Sequence, residues 1–194
     1  MKKVIGMGIA AVICAGIICC AFYLTAQRSK EQANKAETLT EVQKLITKNL
    51  DTKYPETPRE VIKLYNRIIT AYYAEEYTEE EFQKLAVQAQ KLMDRELLAK
   101  NKNDVYISNL SAEIKEYKQK QKKITQSSVC DSNSVKYMKD GDDEIAYVTS
   151  SYFVKEGNSY ERTYQEYVLR QDANKDWKIL VYYQIEGDSA GEDD

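Results

Sequence analysis

The chain has 194 residues, enough for one domain of ordinary size with something attached, but not for a multidomain enzyme. It carries 16 Tyr against 3 Phe and 1 Trp, and it has no His. The missing His removes His acid–base chemistry, Ser-His-Asp and Cys-His nucleophiles and every His-containing metal site. A net charge of −3 argues against a general nucleic-acid binder, because phosphate neutralisation needs clustered Lys and Arg.

The first element is Val4 to Ala26, an uncharged run of 23 residues preceded by Lys2 and Lys3. As a helix it would span roughly 34 Å, enough for a bilayer core of about 30 Å. A cleaved signal peptide has a shorter apolar region of about 7 to 15 residues, and cleavage at Leu24-Thr25-Ala26 is the alternative reading. The small residue that a lipoprotein signal needs before its Cys is missing at Cys14, Cys19 and Cys20. Residues 1–26 therefore read as a transmembrane signal anchor. Lys2 and Lys3 place the remainder outside the cytoplasm, although Arg28, Lys30 and Lys35 lie beyond the run. Only Cys130 remains in that part, so it holds no intradomain disulfide and no Cys pair for zinc.

Residues 27–56 form a polar juxtamembrane linker. Within it Val42, Leu45, Ile46 and Leu50 fall at helical spacing and predict a short amphipathic helix that docks on the following domain. That domain, 57–186, opens with Thr57-Pro58-Arg59-Glu60, a capping box with Pro at the first helical position. The stripe Val61, Leu64, Tyr65, Ile68, Ile69, Tyr72 follows. A second capping box, Thr78-Glu79-Glu80-Glu81, starts a helix whose apolar face runs from Phe82 to Leu97. A third helix begins near Asn103 or Asp104 and carries Tyr106, Ile107, Leu110, Ile114 and Tyr117. Its Lys115–Lys123 end reads as a solvated helix terminus.

After Lys123 the apolar period changes from 3.6 to 2. Strands are expected at Ile124–Cys130, Ser134–Lys139, Ile145–Lys155, Tyr160–Arg170 and Trp177–Ile185. They are joined by turns at Asp140-Gly141, Glu156–Ser159 and Asp172–Asp176. Alternation puts Ala146, Val148, Tyr152 and Val154 on one face. In the last strand it groups Trp177, Ile179, Val181, Tyr183 and Ile185. Residues 187–194 read as a disordered acidic tail. Helices first and hairpins second imply an α+β fold: three helices packed on a curved antiparallel sheet of four to five strands.

The helices of 58–98, the long hairpins and the closing strand Asp176-Trp-Lys-Ile-Leu-Val-Tyr-Tyr183 resemble the nuclear transport factor 2-like cone fold over roughly residues 58–186. That resemblance implies a sheet curved around helices, often leaving a pocket. The segments Tyr54–Arg67, Glu75–Glu80 and Ser150–Gly157 resemble a family of uncharacterised membrane-anchored proteins of Gram-positive anaerobes, which implies architecture and location but no chemistry.

The resemblance implies, for an enzyme, the Asp/His or Asp/Tyr pocket pair usual on the cone fold, and only a Tyr–acid pair is available here. Glu166, between Tyr164 and Tyr167, is the candidate acid, although alternation also reads it as part of a solvated strand face. Neither a phosphate loop nor a nucleophile elbow is present. Asp140–Glu144 lacks regular calcium-ligand spacing. No metal and no cofactor are expected.

Tyr152, Tyr167, Trp177 and Tyr183, with Glu166, are the candidate ligand-binding set, for a peptide or glycan in a concave pocket. The expected function is a membrane-anchored extracytoplasmic binding or protein-interaction module at the bacterial envelope. The alternatives are a His-free hydrolase or isomerase, and a structural spacer. Expected partners are the membrane, through residues 4–26, and an envelope protein, peptide or glycan.

Overall fold

Apolar residues at helical spacing become helices here wherever a cap starts them. The computed structural model describes residues 39–187. Helix α1 (Glu41–Ile46) buries Val42 and Leu45, and Leu50 just beyond it is also buried. Its last carbonyls would be orphans at a helix end. The amide of Gln88 supplies the missing donor, reaching the carbonyls of Leu45, Ile46 and Lys48 at 3.2, 3.2 and 2.7 Å. Gln88→Ala is expected to cost about 1–3 kcal/mol, because it strands buried acceptors. Urea unfolding measures it.

Helix α2 (Pro58–Ala74) starts at Thr57, whose hydroxyl accepts the Glu60 N–H. Helix α3 (Glu79–Lys91) starts with a full capping box: Glu81 N–H donates to the Thr78 hydroxyl at 3.2 Å, and Thr78 N–H to the Glu81 carboxylate at 2.9 Å. These bonds hold the Glu81 carboxyl below its ordinary range. Thr78→Ala is expected to lose about 1 kcal/mol. The same unfolding assay reads that loss.

The apolar face predicted to run unbroken to Leu97 does not continue as one helix. It stops at Leu92, and α4 (Arg95–Lys100) begins anew with Asp94 as its cap. The cause is tertiary. Ile179 takes both backbone partners in the gap, donating to Leu92 O and accepting from Asp94 N at 2.8 Å each. A helix cannot use those groups and give them to a strand at once. Helix α5 (Asn103–Gln119) follows.

The strands are β1 (Lys122–Val129), β2 (Lys136–Asp140), β3 (Asp143–Glu156), β4 (Ser159–Gln171) and β5 (Trp177–Ile185). They form one antiparallel sheet in the order β1-β3-β4-β5. β2 shares the β1 edge of β3, pairing with its first residues while β1 pairs with its last. Gly141 and Gly157, at φ +59° and +57°, turn the two hairpins flanking β3. Val61, Ile62 and Ile68 of α2 meet Ala146, Val148, Leu169 and Ile179 of the sheet in the core.

The α+β class with helices on an antiparallel sheet is what the chain adopts, and its geometry is compatible with a cone. The fold expectation is corrected on two points. The described residues hold five α-helices, because α4 is separate and α1 counts with the rest. The expected N-terminal transmembrane helix has no support: among the described residues no helix is long and apolar enough to cross a membrane. Val4–Ala26 itself lies outside the described residues, as do residues 188–194 of the expected acidic tail.

One strand face is also corrected. Val168 pairs with Val181, but Leu169 pairs with Ile179, so Leu180 is an extra residue on β5. This bulge flips the alternation. Trp177 and Ile179 face the core, while Val181 and Tyr183 are on the other side, over two-fifths exposed.

Candidate functional site

Alternation along β3 and β4 sends Ser150, Tyr152, Gln165 and Tyr167 toward α2, and the register sets Tyr167 opposite Tyr182 on β5. Helix α2 presents Tyr65 to the same place. The Tyr65 and Tyr167 rings meet edge-on at 5.8 Å, and Tyr167 and Tyr182 lie at 5.6 Å. Between this group and α5 the structure leaves a cleft of about 260 Å³.

A continuous hydrogen-bond chain runs beneath it. The Tyr152 hydroxyl donates to Asn66 Oδ1 at 2.5 Å and contacts the Tyr167 hydroxyl at 2.5 Å. Asn66 Nδ2 donates to Ser150 Oγ at 2.6 Å, and Ser150 Oγ to Ser128 O at 2.8 Å. Tyr167 also lies 2.7 Å from the Gln165 amide. Two hydroxyl protons cannot serve three contacts. The consistent assignment has Tyr167 donating to Tyr152, Tyr152 donating to Asn66, and the Gln165 amide turned to donate to Tyr167. Burial pushes Tyr152 up to about 12 and Tyr167 well above its ordinary value. These hydroxyls are neutral fixed dipoles, not bases.

The opposite wall comes from helices. Tyr73 of α2 and Tyr117 of α5 lie at 4.5 Å, and Tyr106 of α5 completes the lining. Burial raises Tyr106 to about 12, and it raises Tyr73 further, aided by the hydrogen bond to Glu113. The Tyr73 hydroxyl donates to Glu113 Oε1 at 2.7 Å. Glu113 is exposed, and among the described residues it is the one charged side chain in the lining.

The structure divides the five residues singled out in the sequence. Tyr152 and Tyr167 form the cleft floor. Trp177 is buried at the other end of β5, edge-on to Tyr137 at 5.8 Å, and its carbonyl accepts from the Tyr54 hydroxyl. Glu166 and Tyr183 pair across β4 and β5 on the face turned away from the helices, where the Tyr183 hydroxyl donates to the Glu166 carboxylate. That bond raises Tyr183 to about 12. Sequence reasoning missed Tyr65, Tyr73, Tyr106, Tyr117, Tyr182 and Glu113. Three of these stood on helical stripes as packing residues. The available signal was Tyr where a stripe buried in a core would carry Leu or Ile.

Cys130 is half-buried, and burial pushes its thiol up, which keeps it a thiol. Among the described residues no group of three Cys, Asp or Glu stands close enough to hold a metal ion. The arrangement is suited to holding a ligand against aromatic faces rather than to transferring a proton.

No curated protein matches the chain. A family model described as a domain of unknown function (DUF6715) does, over residues 1–182, and the protein belongs to that family.

Proposed function

We propose that the protein is a non-catalytic binding module of the cell envelope whose ligand group enters the tyrosine-lined cleft. The observation that carries this reading is the cleft itself: about 260 Å³, walled by aromatic rings whose hydroxyls are held neutral. Aromatic rings give large contact area at low conformational cost and are enriched at binding surfaces. The enzymatic alternative relied on Glu166, which faces away from the cleft. Strands of 14 and 13 residues packed on α2, with a cleft between sheet and helices, support the finer reading of the fold as a nuclear transport factor 2-like cone.

A photo-cross-linking residue at Tyr106, in cells, tests the site. Specific capture at Tyr106, lost when Thr163→Trp fills the cleft, is the expected result. Capture only from Tyr183, on the opposite face, would overturn the reading. The envelope location rests on the uncharged run of residues 4–26. Protease added to intact cells is expected to remove the domain, and full protection would refute an extracytoplasmic placement.

A further inference from the structure

Given that the cleft is the ligand site, its chemistry says what the ligand carries. Among the described residues the lining holds seven tyrosines and a single charged group, the Glu113 carboxylate. No Lys or Arg among the described residues lines it. Lys122, which reaches Tyr117 electrostatically from beyond the lining, is itself held by Glu156 at 2.8 Å. An anion would therefore meet a carboxylate and no counter-charge. Two of the lining hydroxyls, those of Tyr73 and Tyr152, already donate to protein acceptors.

A cation meets the reverse. Each ring presents a negative face, and a cation within about 6 Å of a ring centroid gains about 0.5–2 kcal/mol. Elsewhere in this chain tyrosine faces are covered by the protein's own ammonium groups. Lys178 sits 3.7 Å from the Tyr54 ring, and Lys118 sits 5.3 Å from Tyr77. Among the described residues the cleft rings have no such internal cation. They line the cleft together with one exposed carboxylate, which the Tyr73 hydroxyl holds. A volume of about 260 Å³ is below the roughly 300–1,000 Å³ of pockets that enclose drug-sized ligands, so it suits one head group or one side chain.

We propose that the cleft binds an organic cation, an alkylammonium head inserted between the sheet tyrosines and the α5 tyrosines with Glu113 as its counter-ion. Two sources share this chemistry: a quaternary ammonium head group and a lysine-type side chain.

The test uses the full chain with isotopically labelled tyrosine and follows the ring signals by NMR. Three probes are titrated: choline, n-butylammonium, and 3,3-dimethyl-1-butanol, the uncharged carbon isostere of choline. Choline or n-butylammonium is expected to shift Tyr106, Tyr117 and Tyr182 and to bind at least about tenfold tighter than the alcohol. The tighter of the two cations identifies the source. Glu113→Gln keeps an acceptor for Tyr73 and is expected to weaken the cation about five- to tenfold, leaving the alcohol unchanged. Equal binding of alcohol and cation overturns the cation inference while the cleft stands as a ligand site. Cations that shift no cleft ring overturn it as well, whatever cross-linking at Tyr106 shows about the cleft. A Glu113→Gln variant that binds cation as tightly as the parent removes the counter-ion role and with it the inference as stated.

Discussion

Arg170→Ala is expected to destabilise the domain by about 3–5 kcal/mol, lowering Tm by about 10 °C. Arg170 lies on β4 and gathers three carboxylates. It reaches Asp94 with two bonds of 2.8 and 3.2 Å, Glu96 at 2.7 Å and Asp143 at 3.2 Å. The Asp94 side chain is only 5% exposed, and Arg170 14%, while the other two acids are half-exposed. Asp94 therefore dominates the cost, and the two outer pairs add little. Without the guanidinium a buried carboxylate loses its counter-charge. That same carboxylate caps α4, and its backbone joins Ile179, so the damage spreads to the helix break.

Two variants separate charge from shape. Arg170→Lys should recover only part of the loss, since a point charge cannot make the two-pronged contact. The double variant Arg170→Met with Asp94→Asn should cost less than Arg170→Ala alone, because no charge is left buried. Chemical unfolding of all three measures this. A single-variant loss below about 0.5 kcal/mol would show the cluster to be surface decoration.

Alkali should unfold this protein abruptly. Tyr65, Tyr72, Tyr73 and Tyr167 are buried, and burial raises each far above the ordinary value of 10. Below pH 10 the folded and unfolded chains both keep these protons, and the tyrosines contribute their full stability. Above it the unfolded chain releases protons that the folded chain retains, so stability falls as pH rises. At pH 11 each group has lost about 1.4 kcal/mol, and the four together about 5–6 kcal/mol. That is comparable with the entire stability of an ordinary domain, about 5–15 kcal/mol. With no His in the chain, the interval from about pH 6 to 9 should be nearly flat. Loss of ellipticity and ionisation of these four tyrosines, the latter followed by tyrosinate absorbance, are expected in one step above about pH 10.5. Gradual ionisation of all tyrosines near pH 10 with ellipticity intact would contradict this account.

What could be read from the sequence is what short-range chemistry decides. Thr57 and Thr78 start helices with bonds made within three residues, and Gly141 and Gly157 turn hairpins by their own backbone freedom. The break after Leu92 is different, because its cause, Ile179, lies far along the chain. Arg170 likewise finds Asp94 across 76 residues. The cleft was half legible. Tyr152 and Tyr167 share an inward strand face that alternation reveals. Tyr65, Tyr106 and Tyr117 looked like helix packing, since period alone does not tell a ring that fills a core from one that borders a void. Tyr182 was hidden by a single inserted residue.

That insertion has a consequence for how the cleft tolerates change. The bulge at Leu180 turns Tyr182 inward and leaves Tyr183 outward. Deleting Leu180 would restore plain alternation and leave both where they are, whereas flattening the bulge with Leu180 kept in the ladder would exchange them, yet the side chain delivered to the wall would again be a phenol. The doublet makes that wall indifferent to a one-residue slip, so the ring chemistry of the cleft is buffered against the kind of small insertion or deletion that inverts an ordinary strand.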